Sequence, residues 1–489
     1  MKTAFLTYFL LFLLASCFHS SAQVAYQKMP VEKLEAAYEK YKEPSITHRR
    51  FKHASIQPLI QKHGSEFKLE ELGTSVEGKS ITSMKWGQGG TKVMLWSQMH
   101  GNESTATMAL FDLFNFLEGK NDGYDELRNL LKNQLSLKFI PMINPDGADA
   151  FKRRNALDID LNRDAISQIS PEAVILKKAR DDFEPEFGFN LHDQQIYYNV
   201  VNTPKQATIS LLAPAYNYET EINEVRGRAM QTIAGMNELL QEFIPGQVGK
   251  YDDAFEPRAF GDNIQKWGTS TILIESGGYP GDTEKQYIRK INFMIILNAL
   301  HQIATRGYEQ YTTEQYFAIP DNGFQLMDLI INEMQVKVKG AWYPLDIAIR
   351  RRETENTAGY FMSASVEDLG DMQIFFGFET LDATGLQYLE GKVFPTAFES
   401  VKDISEEKAI ELLRQGFMAV KVKTGEARQV HGLPILVLKS TEKYSSGWMT
   451  GSATNFFLAK EGKPRYAIVN GYLIDLETPK KQEIRNRIF

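Results

Sequence analysis

Apolar runs of strand length alternate with amphipathic stretches of helix length between about residues 67 and 303, and this alternation restricts the fold more than any other feature. Strands that alternate with helices favour one mostly parallel or mixed sheet whose two faces are covered by helices. We therefore expect an α/β fold for this part of the chain. The predicted strands lie at residues 92–99, 135–143, 187–191 and 269–274, and the predicted helices at 104–117, 171–183, 220–243 and 283–305.

The pattern changes near residues 307–323. Beyond that point the sequence consists of short apolar runs of strand type, interrupted by one helical stretch at residues 405–414. A chain of 489 residues suits two domains better than one core. We predict an α/β domain at residues 23–312 and a smaller β-rich C-terminal domain, of unknown role, at residues 320–489.

The first 22 residues have the features of a secretory signal peptide. Lys2 gives a positive start, residues 4–15 are almost wholly apolar, and a small-residue cleavage site precedes Gln23. A competing interpretation is a bacterial lipobox at residues 14–17, in which Cys17 carries a lipid anchor. Both interpretations predict an exported protein, either periplasmic or secreted, and the second adds attachment to a membrane.

Charge and cysteine content exclude several classes of protein. The formal net charge is -7, and no concentrated excess of Lys and Arg suggests a nucleic-acid partner. After the N-terminal apolar run, no stretch is long enough to predict a membrane helix. Cys17 is the only cysteine, so an intramolecular disulfide, a cysteine nucleophile and a thiolate metal site are all excluded.

Two histidines and a glutamate stand where a metal site would need them. His100 and Glu103 are three residues apart across a Gly-Asn turn that follows a predicted buried strand, and His192 follows another such strand. Taken singly, each has an ordinary structural explanation. Together they form a set of three ligands that leaves a fourth position open, as catalytic zinc requires.

Further polar residues fall at or near the carboxyl ends of predicted strands, the edge where open α/β sheets bind ligands. Glu275 ends an apolar strand, where a carboxylate is either buried at a cost or acts as a general base. The turn at residues 144–147 follows a second strand. Asn162 and Arg163 place an amide beside a guanidinium, a combination suited to binding a carboxylate.

In this order the motifs resemble the zinc carboxypeptidase family, typified by the digestive carboxypeptidases, over residues 67–303. The motifs are His100-Gly-Asn-Glu103, Asn144-Pro-Asp-Gly147, Arg153, Asp160-Leu-Asn-Arg163, Leu191-His192 and Glu275. The resemblance implies one Zn2+ per chain and a peptide substrate with a free C-terminal carboxylate. It assigns zinc binding to His100, Glu103 and His192, the general base to Glu275, oxyanion stabilisation to Arg153 and carboxylate binding to Asn162 and Arg163.

The sequence departs from the family pattern in three places. Tyr251 is the nearest candidate for the family's mobile-loop tyrosine, which lies a little before the catalytic glutamate. Residues 256–262, which should help to line the side-chain pocket, match neither a basic nor an aromatic preference. Asp193, rather than a small residue, follows His192. These departures concern the substrate and not the metal.

Three functions stay open at this point. The first is an exported carboxypeptidase acting on peptides. The second keeps the zinc chemistry but acts on cell-wall peptides or N-acyl amino acids, as an amidase, peptidase or deacylase. The third is an inactive binding relative, against which the intact ligand set and Glu275 argue.

Overall fold

The computed structural model describes residues 26–356 and 359–489. The predicted signal peptide and Cys17 lie outside these residues. Within them, no helix combines the length and apolar character needed to cross a membrane.

A mixed eight-stranded sheet organises the N-terminal part of the chain, in the order β1-β2-β4-β3-β5-β9-β7-β8. The four central strands β4, β3, β5 and β9 run parallel. Strand β2 pairs antiparallel with β1 and β4, and β7 pairs antiparallel with β9 and parallel with β8. The predicted α/β class is therefore confirmed. The strands in this part are β1 Lys68–Thr74, β2 Ser80–Gly87, β3 Thr91–Ser97, β4 Leu135–Ile140, β5 Phe187–Asp193, β6 Asn199–Val200, β7 Ile209–Leu212, β8 Val248–Lys250 and β9 Ser270–Ser276.

Helices cover both faces of this sheet, which explains why β3 is apolar on both faces from Val93 to Trp96. Val93 and Leu95 pack in one hydrophobic cluster with α3 and α9, whereas Met94 and Trp96 pack in a second cluster with α6 and α8. The helices are α1 Val31–Tyr41, α2 His53–Lys62, α3 Thr105–Glu118, α4 Asp125–Gln134, α5 Pro145–Ala150, α6 Pro171–Phe183, α7 Glu224–Phe243, α8 Phe260–Lys266, α9 Gln286–Thr305, α10 Thr313–Phe317 and α11 Glu406–Arg414.

The segment after β4 differs from the prediction. The strand ends at Ile140, and residues 144–147 begin helix α5 instead of forming an isolated turn. The Asn144 side chain caps this helix by accepting a hydrogen bond from the Gly147 N–H at 2.8 Å. An asparagine cap followed by proline at the first helical position is a common helix start, and here it outweighs the turn propensity of the same residues.

The C-terminal part is β-rich, as predicted. A second eight-stranded sheet has the order β13-β12-β11-β15-β20-β21-β22, with β14 also pairing with β11, and α11 packs beside a smaller sheet formed by β16, β17 and β19. Its strands are β10 Asn322–Gly323, β11 Leu326–Val338, β12 Ala341–Asn356, β13 Gly359–Leu369, β14 Phe376–Asp382, β15 Gln387–Leu389, β16 Lys392–Val393, β17 Phe417–Val422, β18 Val430–His431, β19 Leu436–Lys439, β20 Asn455–Lys460, β21 Lys463–Val469, β22 Tyr472–Asp475 and β23 Asn486–Arg487.

The junction between the two parts is packed against the first. Tyr316 of α10 is fully buried, and its hydroxyl accepts a hydrogen bond from the Ala213 N–H. Strand β10 pairs with β6, which lies just beyond the end of β5. Independent folding of residues 23–312 and 320–489 stays a prediction.

Candidate metal site and surrounding cleft

The three predicted metal ligands meet at one edge of the first sheet. His100 and Glu103 lie in the loop between β3 and α3, and His192 lies next to the last residue of β5. Because β3 and β5 are adjacent parallel strands, their carboxyl ends bring these residues together. His100 and Glu103 are neighbours in one loop, and fold topology brings His192 to them from 89 residues away in the sequence.

Nitrogen and oxygen atoms of the three side chains converge on one point. The His100 Nδ1 lies 2.8 Å from the Glu103 Oε1, and the His192 Nδ1 lies 2.7 Å from the Glu103 Oε2. The two Nδ1 atoms are 3.1 Å apart. Two imidazoles and one carboxylate, all buried, match the donor set that zinc takes in hydrolases, so the residues fit this metal.

Burial and charge shift the titration of these three groups in different directions. Burial favours the neutral form of Glu103. The charges and hydrogen bonds of His100 and His192 have the larger effect and hold the pKa of Glu103 well below its usual range. Burial lowers the pKa of His192. Burial also acts to lower the pKa of His100, but the nearby carboxylates of Glu103 and Asp160 have a larger effect and raise this pKa above its usual value. The site therefore holds one ionised carboxylate and favours positive charge.

Two glycines explain how the His100 loop reaches its position. A Cβ on Gly101 would lie 1.9 Å from the Gly147 carbonyl carbon, so the two backbones approach more closely than any side chain permits. Asn144 donates to the Met99 carbonyl at 3.2 Å and to the Arg153 carbonyl at 3.4 Å. The start of α5 therefore holds the His100 loop and Arg153 in register.

Asp160 is a residue that the sequence alone did not single out. Its Oδ1 lies 3.0 Å from the His100 Nε2, and its Oδ2 accepts a hydrogen bond from the Arg153 Nε at 3.1 Å. A carboxylate on the far nitrogen of a metal-binding histidine fixes the ring orientation, which here turns Nδ1 towards the ligand cluster. The signal is present in the motif Asp160-Leu-Asn-Arg163, in which only the last two residues have a predicted role.

Arg153 reaches the ligand cluster itself. Its Nη1 lies 3.1 Å from both the Glu103 Oε1 and the His100 Nδ1. A guanidinium nitrogen between those two atoms is a positive charge near the point where a metal ion would bind. The Arg153 side chain is 44% exposed, so it has room to turn away from that point.

Glu275 lies directly beside His192 in the sheet, because the two residues are paired in the β5–β9 ladder. Its Oε2 is buried and has no hydrogen-bond partner in the described part of the chain. Burial raises the pKa of Glu275 well above its usual range, and the negative charges of Glu103 and Asp193 add to the effect. A free, buried carboxylate oxygen beside a metal site has the chemistry of a proton acceptor.

Asp193, which departs from the family pattern, belongs to a buried polar group. The Lys285 Nζ lies 3.0 Å from the Asp193 Oδ2, and the Thr105 hydroxyl donates to the same oxygen at 2.6 Å. Lys285 also donates to the Ser276 carbonyl, next to Glu275, at 2.9 Å. This group ties the end of β5 to the end of β9, and no sequence motif indicated Lys285.

Asn162 and Arg163 lie on the same cleft, but both already have partners. The Asn162 Oδ1 accepts a hydrogen bond from the Phe260 N–H at 2.9 Å. The Arg163 Nε lies 3.2 Å from the Glu256 Oε2. Glu256 also binds Arg258, which holds the pKa of the Glu256 carboxyl below its usual value. The predicted carboxylate-binding residues are thus present, with a carboxylate of the chain beside Arg163.

Tyr251 also lines the cleft, close to Glu275. Its hydroxyl lies 3.3 Å from the Tyr198 hydroxyl. Burial, the charge of Glu275 and the contact with Tyr198 together raise the pKa of Tyr251. Tyr251 therefore remains a neutral hydrogen-bonding group at physiological pH.

Seven of the eight predicted site residues line a single cleft of about 1270 Å³, and the eighth, His192, is buried. This volume is larger than the range of about 300–1,000 Å³ that is usual for small-molecule sites. The cleft therefore has room for an extended ligand.

The comparisons with known proteins agree with the site. Residues 53–206 match the family model of the zinc carboxypeptidases, which confirms the resemblance over that segment. The matched segment contains the three candidate metal ligands together with Arg153, Asn162 and Arg163, and it ends before Tyr251 and Glu275. Among curated proteins, an uncharacterized protein of Zymomonas mobilis is 28% identical over 147 residues, which are 29% of this chain and 37% of that protein's length.

Solved structures of metallo-carboxypeptidases resemble the chain in part. One from Burkholderia cenocepacia gives a TM-score of 0.41 at 16% identity, covering 51% of this chain and 68% of its own. Carboxypeptidase A from Helicoverpa armigera gives a TM-score of 0.41 at 14% identity, covering 56% and 80% respectively. These values are too low to say anything about substrate.

Proposed function

We propose that this protein is an exported zinc carboxypeptidase that removes residues one at a time from the C-terminus of peptides. The observation that carries the proposal is the convergence of His100, Glu103 and His192 beside the unpartnered Glu275. The family match over residues 53–206 supports it. Export rests on the signal-peptide pattern of residues 1–22 alone.

His100, Glu103 and His192 would hold the metal. The chemistry that bound zinc supplies is Lewis acidity towards a carbonyl oxygen or a water molecule. In the proposed reaction Glu275 accepts a proton from the attacking water at its free Oε2 and then returns it to the leaving amine nitrogen. The raised pKa of Glu275 favours this return, because the protonated carboxyl is an accessible state.

Arg153 and the anchoring residues complete the proposal. Arg153 turns away from its contact with Glu103 and donates hydrogen bonds to the carbonyl oxygen of the scissile bond. These bonds stabilise the negative charge that develops on that oxygen during the reaction. Asn162 and Arg163 bind the terminal carboxylate of the substrate, for which the planar guanidinium is well suited. Tyr251, which also lines the cleft, contributes its hydroxyl to substrate binding.

A second candidate function keeps the same metal and the same base. A zinc amidase or peptidase acting on cell-wall peptides is favoured by one observation, the Glu256 carboxylate that already pairs with Arg163. If Glu256 stays there when the substrate binds, Arg163 cannot hold a terminal carboxylate and exopeptidase selectivity is lost. The size of the cleft argues against a substrate as small as a single N-acyl amino acid.

The test uses matched peptides with a free or an amidated C-terminus, digested by the metal-loaded protein and analysed by mass spectrometry. We expect stepwise trimming of the free acids and poor cleavage of the amides. Glu275→Gln should keep its metal but lose about 10²–10⁴-fold in turnover, the usual contribution of a general base. Equal cleavage of both peptides, or internal cuts, would favour the amidase or endopeptidase alternative.

A further inference from the structure

The β-rich C-terminal part forms one wall of the cleft that contains the metal-site residues. Side chains from β13, β14, β22 and the segment before β23 line the same cavity as His100, Glu103 and Glu275. The main contributors to this wall are Tyr360, Met362, Phe378, Tyr472 and Arg485. Any extended ligand of the metal site therefore also meets the C-terminal part.

A stack of alternating aromatic rings and guanidinium groups fixes this wall in place. The Arg50 guanidinium lies 4.1 Å from the Phe151 ring and 4.0 Å from the Tyr360 ring, and Arg485 covers the Tyr360 ring at 4.0 Å. Arg50 also forms ion pairs with Glu353 and, at 3.0 Å, with Glu355 of β12. Because Phe151 is only two residues before Arg153, the stack joins the wall to the catalytic side of the cleft.

Arg485 differs from the other arginines that line this cleft. Each of the others has a carboxylate partner: Arg49 with Glu353, Arg153 with Glu103 and Asp160, Arg163 with Glu256, Arg351 with Asp328 and Arg352 with Glu367. Within residues 26–356 and 359–489, Arg485 makes no such pair. It donates its Nε to the Tyr360 carbonyl at 3.3 Å, which leaves its two terminal nitrogens available to a ligand.

Four acids on the same wall could oppose this charge, but three of them already have arginine partners: Asp328 pairs with Arg351, Glu353 with Arg49 and Arg50, and Glu355 with Arg50. Glu483 also lines the cleft, but it is exposed, whereas Arg485 is half-buried against Tyr360. Charges at the exposed rim are screened by water and salt, and partly buried charges interact more strongly. On this wall Arg485 is therefore a partly buried positive charge that no acid of the described chain pairs with.

We propose that Arg485 binds a carboxylate of the substrate, so that the enzyme prefers peptides with an acidic side chain on the N-terminal side of the scissile bond. This inference rests on the proposed function, because a carboxypeptidase has only one residue on the C-terminal side of that bond. Arg163 and Asn162 account for that residue. The wall that contains Arg485 is built by the C-terminal part of the chain. We therefore expect it to contact the substrate residues on the N-terminal side of the scissile bond.

The test measures kcat/KM for matched free-acid peptides that carry Glu or Gln at successive positions before the scissile bond. At one of these positions we expect the wild-type protein to prefer Glu by about 5-fold, as for a partly exposed ion pair, and to lose that preference at high salt. Arg485→Gln should bring the Glu/Gln ratio close to 1. Arg487→Gln is the matched control, since Arg487 also stacks on aromatic rings but does not line the cleft, and it should keep the wild-type ratio.

The possible outcomes separate this inference from the function on which it rests. If the wild-type protein cleaves the Glu and Gln peptides equally at every position, the inference is wrong and the proposed function stands. The same holds if Arg485→Gln keeps the preference. If no peptide is cleaved at all, the proposed function fails and this inference fails with it.

Discussion

The cleft has a metal end, formed by His100, Glu103, His192 and Glu275, and an anchor end, formed by Arg163, Glu256 and Arg258. The polar groups of the two ends differ in whether they have partners within the protein. At the metal end the side chains are buried, and polar atoms such as the Glu275 Oε2 and the His192 Nε2 have no hydrogen-bond partner within the described chain. At the anchor end, Arg163, Glu256 and Arg258 are partly exposed and already paired with one another. The metal end thus has buried polar atoms without partners in the described chain, whereas the anchor end pairs its charged groups with one another.

This difference has energetic consequences. A buried polar group without a partner costs free energy, which a ligand or a reaction that uses the group can offset. A partly exposed ion pair contributes little and exchanges partners readily. Changes at the metal end should therefore have large effects on activity, and changes at the anchor end should have small effects that depend on the substrate.

The largest effect is expected from His192→Ala, which removes one of three converging ligands. Loss of a partner outside the ligand set usually costs about 10–100-fold in metal affinity, so loss of a ligand should cost more and abolish turnover. Elemental analysis after dialysis, together with peptide turnover, provides the measurement. His48→Ala, at an exposed histidine away from the cleft, is the control. Full metal content and activity in His192→Ala would remove this residue from the site.

The sequence predicted the positions of the residues at the metal end because the relevant information is local. An apolar strand run predicts a buried strand, and a polar residue at its end predicts a position on the edge of the sheet. The positions of His100, His192 and Glu275 at one edge therefore follow from the sequence alone. Asp160 and Lys285 were missed because their roles depend on which side chains the fold brings within hydrogen-bond distance, such as the 3.0 Å contact between Asp160 and His100.

The cleft wall from the C-terminal part could not be predicted for the same physical reason. Strand β13 contributes Tyr360 and Met362 to this wall, and nothing in its sequence indicates which residues of the N-terminal part it will meet. The stack of Phe151, Arg50, Tyr360 and Arg485 joins residues far apart in sequence. Likewise, the sequence placed Arg163 beside a substrate carboxylate and did not indicate that Glu256 would lie there.

Asp262, near the anchor end, differs from the paired groups there because burial changes its ionisation. This change predicts that the stability of the protein depends on pH. Burial raises the pKa of Asp262 to about 7, so the folded protein keeps this carboxyl protonated where the unfolded chain has lost the proton. The stabilising contribution is complete below about pH 4 and is lost as the pH rises to about 7. Asp262→Asn removes this loss, and the amide oxygen can still accept the hydrogen bond from the Glu256 N–H.

We therefore expect Asp262→Asn to gain stability over the wild type at pH 8, by an amount on the order of a few kcal/mol, and little or none at pH 4. Thermal unfolding midpoints of both proteins at the two pH values provide the measurement. Asp252→Asn, at an exposed acid of the same segment, should change neither midpoint. A gain that does not depend on pH would mean that Asp262 is ionised in the folded protein.

The smallest effect is expected from Glu256→Gln, and it bears most directly on the comparison of the two ends. The Glu256 carboxylate lies 3.2 Å from the Arg163 Nε, so a substrate carboxylate must displace it in order to bind there. Removing its charge weakens a partly exposed ion pair, which should lower KM for free-acid peptides by about two- to five-fold and leave KM for amidated peptides unchanged. Glu221→Gln, at an exposed glutamate outside the cleft, is the control. A higher KM for the free acids would show instead that Glu256 holds Arg163 in position for the substrate. An unchanged KM for both kinds of peptide would mean that Arg163 does not bind the terminal carboxylate, and the anchor end would then have to be sought elsewhere on the cleft.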